Sequence, residues 1–258
     1  MKAARGYIAM AFRSAFAYKS SVFFLFFGSV ISILAQIALW NFLYAADPAK
    51  RTYMTAYVVL STVINFFYYG NVAKYVEAKV RSGDLAVDLL RPVNPITVFW
   101  SIALGNILSS LALRGLPILL VFSYAFFGQG ITLWKLCLFL LALLAGHVLF
   151  TLIYICLGYL AFVTFAIWPF FRLVNDTIRF LSGSVIPLTL FPPFLQTLSW
   201  FTPFRFLYTF PIDLLIGSLP AGEILLNFTV MAVWILAFAG LLALASRQAE
   251  KRLVVQGG

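Results

Sequence analysis

The sequence is poor in the side chains that carry most protein chemistry. Its 258 residues include one histidine, two cysteines and eight acidic residues, and only 10% are charged. Metal-ligand clusters and paired intramembrane carboxylates are missing. The two thiols, Cys137 and Cys156, fall on one expected helix about 28 Å apart, which excludes a disulfide between them. There is no Gly-x-x-x-x-Gly-Lys-Ser/Thr loop to cradle phosphates, so ATP is not bound by that route. A Gly-x-Ser-x-Gly elbow to pair with His147 is also lacking. A lone His147 within an apolar run serves either as a proton relay or, as the blander reading, as a hydrogen-bonding link to a neighbouring helix.

What the sequence has in excess is apolar surface. Hydrophobic residues make up 63%, phenylalanine alone contributes 28, and the mean hydropathy is +1.00. A water-soluble fold of this size has too much exposed area to hide that much. Lipid is the solvent that fits, and a crossing needs about 20 mostly apolar residues. The fold class expected is therefore all-α and polytopic, a single transmembrane domain with six helical spans. Charge-free windows and breakers place these near 20–46, 52–73, 97–127, 133–165, 170–187 and 223–246. Segment 190–218 is not counted as a crossing, because it holds Pro192, Pro193, Pro203 and Pro211. Bare backbone in lipid is costly, so this stretch is expected to form short re-entrant or external helices buried in protein or lying at the interface.

Charge sets the orientation. With both termini inside, Lys2, Arg5, Arg13, Lys19, Lys74, Lys79, Arg81, Arg91, Arg172, Arg179, Arg247, Lys251 and Arg252 fall on the cytoplasmic side, against Lys50, Arg51, Lys135 and Arg205 outside. The net charge of +10 is spread along the membrane edges, so no nucleic-acid partner is implied. The first apolar window is too long for a cleaved signal peptide. Residues 1–19 are expected to form a basic, imperfectly amphipathic helix along the inner surface, or simply a flank that sets topology.

The loop from 74 to 95 is the most informative stretch. Ser82 is a suitable N-cap, and Asp84 suits the positive end of a helix dipole. Leu85 and Leu89 share one face, while Asp84, Asp88 and Arg91 share another. Arg91 precedes Pro92, which stops a helix. Residues 82–91 thus predict a two-turn amphipathic helix presenting a small apolar knob ringed by charge. It is either a docking element or an interfacial connector with no partner.

The run RSGDLAVDLLRPVNP (81–95) resembles the signature loop of the type-2 ATP-binding-cassette (ABC) permease family. LSGSVIPLTLFP (181–192) is similar to that family's fifth span and its exit, and the stretch from Pro203 through Asp213 to Gly217 is similar to its proline-broken external helices. The resemblance implies an exporter permease that is not itself an enzyme, in the bacterial inner membrane. It implies a second permease subunit, identical or not, and separate ABC ATPase subunits that bind ATP and Mg. Residues 1–19 would be the elbow helix. Ser82, Gly83, Asp84, Leu85, Asp88, Leu89 and Arg91 would lie on the coupling helix that docks on the ATPase.

Further candidates come from the residues themselves. Arg114 within the third window either lines a pathway or pairs with a neighbouring helix or the membrane edge. Arg172, Asp176 and Arg179 share a helix face, forming an ion-pair ladder or a positive surface for anionic lipid or substrate. Ser101, Gly105 and Ser109 form a small-residue stripe suited to close helix contact. Asp213 and Glu223 are expected to be solvated outside. An ATP-independent channel or secondary transporter, or an intramembrane enzyme, remain the alternatives.

Overall fold

The computed structural model describes residues 2–17, 19–68, 72–82, 84, 94–164 and 166–253. Among these the regular elements are all helical. They are α1 (Lys2–Ala17), α2 (Lys19–Leu43), α3 (Pro48–Phe67), α4 (Val72–Arg81), α5 (Pro95–Ser110), α6 (Leu116–Val121), α7 (Leu133–Tyr159), α8 (Trp168–Leu181), α9 (Pro193–Trp200), α10 (Thr209–Ile216) and α11 (Ala221–Leu253). A π-turn, Leu111–Gly115, joins α5 to α6 without ending the helical run.

The boundaries follow local chemistry. Asp47 caps α3 by accepting from Lys50 N–H at 3.0 Å, with Pro48 in the first turn. Asn94 caps α5 in the same way, accepting from Ile96 N–H at 2.8 Å ahead of Pro95. Gly128 and Gly130 take left-handed φ values of 81° and 59°, which ends the third run before Thr132 caps α7.

Four runs are long and apolar enough to cross a membrane: Ser20–Leu43, Pro95–Val121, Leu133–Phe162 and Ala221–Gln248. The chain is therefore a multi-pass membrane protein. Where sequence windows two and five stood, α3 and α8 are shorter and more polar. The second window was expected to run to 73, but the helix stops at Phe67. Tyr68 is extended, and its hydroxyl donates to Leu207 O at 2.6 Å. After this break α4 packs on the end of α7. Val72, Ala73 and Val76 are fully buried there, and a Cβ on Gly158 would lie 2.6 Å from Val76 Cβ. The expected end of the fourth window at 165 lies outside the described residues.

The proline-rich stretch is broken into short helices and 3-10 turns, and α10 is buried against α3 and α7, with Phe210, Ile212, Leu214 and Leu215 all 4% exposed or less. Its neighbour, the end of α8, shows how irregular backbone survives in an apolar bundle. Ser182 O accepts from Thr209 N–H at 3.1 Å and Thr209 Oγ1 at 2.8 Å. Gly183 O accepts from Tyr57 Oη at 2.6 Å, and Ser184 O from Ser61 Oγ. Three carbonyls freed by the helix end are thus satisfied by protein groups rather than left to lipid.

The small stripe on α5 is used within the chain. Ser101, Gly105 and Ser109 are buried or nearly so, and α1 crosses there. A Cβ on Gly105 would sit 2.5 Å from Ile8 O and 2.7 Å from Ala11 Cβ. Arg5 and Arg13 stay exposed on the other face of α1.

Candidate functional site

A cavity of about 790 Å³ opens between α2, α3 and α8. Its walls are unusually polar for such an apolar chain. On α2, Gly28, Ser29, Ser32 and Gln36 recur at helical spacing, giving a polar stripe along the middle of a mostly apolar helix. On α3 the same spacing brings Ser61, Thr62 and Asn65 to the cavity. Asn175 and Arg179 come from α8, and Ser184 and Tyr208 close the end. Phe24, Leu25, Phe66, Phe150 and Val185 supply an apolar rim.

The hydrogen bonds orient this wall. Tyr208 Oη donates to Asn65 Oδ1 at 3.1 Å, and Tyr154 Oη to Asn175 Oδ1 at 3.4 Å. Each amide therefore keeps its NH₂ as a donor. Gln36 Nε2 donates to Ser32 Oγ at 3.3 Å. These groups are held in place yet retain capacity to bind something more.

Arg179 is the one charged residue among the described residues lining the cavity. Tyr57, nine residues into α3, meets Gly183, so that level lies about 14 Å below the end of the bundle where α3 starts. Arg179 lies four residues before Gly183, about one helical turn back along α8, and its side chain is exposed at the cavity. α8 starts at Trp168 and gives way to a turn in which Gly183 takes a φ of 81°. The expected ladder is also divided. Arg172 pairs with Asp176 at 3.7 Å, both exposed, while among the described residues no carboxylate lies within ion-pair distance of Arg179.

Arg114 sits in the π-turn with its guanidinium 4.5 Å from the Phe66 ring centre and Nη2 donating to Ser110 Oγ at 2.9 Å. It is half-buried and is not among the cavity-lining residues. His147 was read as either a proton relay or a hydrogen-bonding link to a neighbouring helix. Its Nδ1 lies 3.3 Å from Thr151 Oγ1 on its own helix, and its ring makes T-shaped contacts with Phe67 and Trp100.

Of the loop candidates, Ser82 and Asp84 are described and exposed. Ser82 Oγ accepts from Asp84 N–H at 3.3 Å. Lys79 reaches Asp84 at 3.9 Å and Arg81 reaches Glu77 at 3.1 Å. Gly83, Leu85, Asp88, Leu89 and Arg91 lie outside the described residues.

At the opposite end, Asp213 is not solvated as expected. It is partly buried on α10, 3.4 Å from Tyr53 Oη, and burial pushes its carboxyl up to about 6 against the opposing pull of Arg205. Arg205 stacks 3.5 Å from the Trp200 ring centre, and burial lowers it to about 10. Glu223 is exposed.

The polar stripe on α2 is what sequence reasoning missed. Ser29, Ser32 and Gln36 carried a legible signal, a polar face inside the most apolar window. The family described as ABC-2 family transporter protein matches residues 20–257. The chain belongs to that family and is a membrane component of an ABC transporter. No curated protein matches it.

Proposed function

We propose that this chain is the permease subunit of an ABC exporter, with its translocation path along the polar cavity beside α3. The observation that carries this is a hydrogen-bonding cavity of about 790 Å³ within a bundle that is otherwise apolar. Lipid needs no such wall, whereas a polar or charged passenger does.

In this reading α3 and α8 join the four long helices to make six crossings, with both termini in the cytoplasm of a bacterial cell. α1 is the elbow helix at the inner face, and residues 82–91 form the coupling helix. ATP and Mg are bound and hydrolysed by separate ABC ATPase subunits, so the chain is not itself an enzyme. A second permease subunit, identical or homologous, faces the open side of the cavity. Closure of the ATPase pair pushes on 82–91. The push passes to α3 through α4, which Gly158 lets seat directly on α7, and to α5, which begins at the Asn94 cap. Tilting these helices opens the cavity alternately to the two sides.

The test is co-purification of the chain with its ABC ATPase and measurement of turnover in nanodiscs. Reversing charge at the loop, Asp84→Lys with Asp88→Lys, is expected to lower ATPase turnover of the complex at least tenfold. Unchanged assembly and turnover would remove the coupling role.

A further inference from the structure

We infer that the cavity recognises an anionic amphiphile, with the anionic group held by Arg179 and the apolar part against the aromatic rim. The inference rests on the permease reading above and adds the class of passenger. Four observations carry it. Among the described residues the cavity has one charged lining residue, and it is cationic. Among the described residues that guanidinium has no carboxylate partner, whereas Arg172 on the same helix is paired with Asp176. The surrounding polar groups include free donors, among them the amide NH₂ groups of Asn65 and Asn175 and the hydroxyl of Ser32. Phe24, Phe66 and Phe150 offer apolar surface beside them.

The chemistry is selective. A cavity-facing guanidinium with no carboxylate beside it gains a charge-assisted pair from an incoming phosphate, sulfate or carboxylate. A cation would meet repulsion with no acidic side chain to offset it. A purely apolar molecule would strip water from the donors and return no acceptors. Arginine's planar fork suits a two-oxygen acceptor, and the amide NH₂ groups complete the shell.

The test measures binding directly on the purified full-length chain in nanodiscs of phosphatidylcholine. The probes share one chain length: decyl phosphate, decyl maltoside and decyltrimethylammonium. Decyl phosphate is expected to bind at least tenfold tighter than either of the others. Arg179→Gln is expected to lower its affinity about tenfold, the effect of losing one charge-assisted contact, and Arg179→Lys to recover part of the loss. Arg114→Gln, outside the cavity, is expected to leave it unchanged. Equal binding of the three probes, or full retention of decyl phosphate affinity in Arg179→Gln, would overturn the proposal. Adding phosphatidylglycerol to the disc separates the sources: competition points to a lipid headgroup, and no competition to a free amphiphile, both with the same anionic chemistry. Because binding is read without an ATPase, failure here leaves the permease reading standing. Conversely, binding without any ATPase coupling overturns that reading and not the anion site.

Discussion

The two faces of α3 see different worlds at the same depth. One presents Ser61, Thr62 and Asn65 to the polar cavity. The other presents Leu60, Val63, Ile64 and Phe67 to a groove of about 670 Å³ completed by Leu111, Leu116, Leu119 and Phe139, with scarcely a polar atom on its surface. The groove needs nothing beyond acyl chains to fill it, since lipid tails are as apolar as leucine. The cavity holds donors that lipid tails cannot satisfy. The same contrast separates the two arginines. Arg114 satisfies itself on Phe66 and Ser110, while Arg179 faces the cavity without an acidic partner. A residue type inside a membrane is thus a poor guide to function until its partners are known.

The largest break in this contrast is expected from Gly183→Val. The position needs a left-handed φ of 81°, and a Cβ there would lie 2.1 Å from Thr209 Oγ1 and 2.9 Å from Tyr57 Oη. The substitution would disrupt the hydroxyls that satisfy the end of α8 and collapse the cavity's far wall. Destabilisation of about 3 kcal/mol or more is expected, read as loss of the folded peak in detergent or a steep drop in thermal midpoint. A smaller effect of opposite sign is expected from Arg179→Leu. Removing a charge that has no carboxylate partner from the wall of an apolar bundle should raise stability by about 1 kcal/mol while abolishing preference for anions. A loss of stability instead would indicate that Arg179 is a structural element.

The smallest effect concerns the end of the bundle remote from α4. Asp213, raised from 3.8 to about 6, is disfavoured in its ionised form when folded. Its contribution to stability is therefore fully present below its unfolded value and is lost as pH rises through about 6. Between pH 5 and pH 7 the midpoint should fall by the equivalent of about 1 kcal/mol, and Asp213→Asn should flatten that slope. An unchanged slope in the variant would assign the pH dependence to other groups.

Much of this architecture was legible in the sequence. Composition and uncharged windows located the four long helices to within a few residues, because lipid imposes length and apolarity directly. Prolines at 192, 193, 203 and 211 marked the stretch that had to be buried or interfacial, and α10 is buried. The end of α3 at Phe67 was hidden, because Phe67, Tyr68 and the residues flanking them continue the apolar pattern, and the break is held by a tertiary contact from Tyr68 to Leu207 O. Asp213 was misplaced for a similar reason: its burial comes from how α10 folds back on α3. The cavity itself needed three helices brought together, and no single window holds more than one of its walls.

Cysteine accessibility in the intact membrane tests the central claim most directly. In a background free of Cys137 and Cys156, single cysteines at Ser32 and Asn65 on the cavity, and at Val63 and Leu116 on the groove, would be exposed to a charged, water-soluble maleimide. A polar pathway predicts rapid labelling of the first pair, a change in that labelling when the partner ATPase is trapped with ATP, and no labelling of the second. Equal protection of all four positions in both states would contradict it.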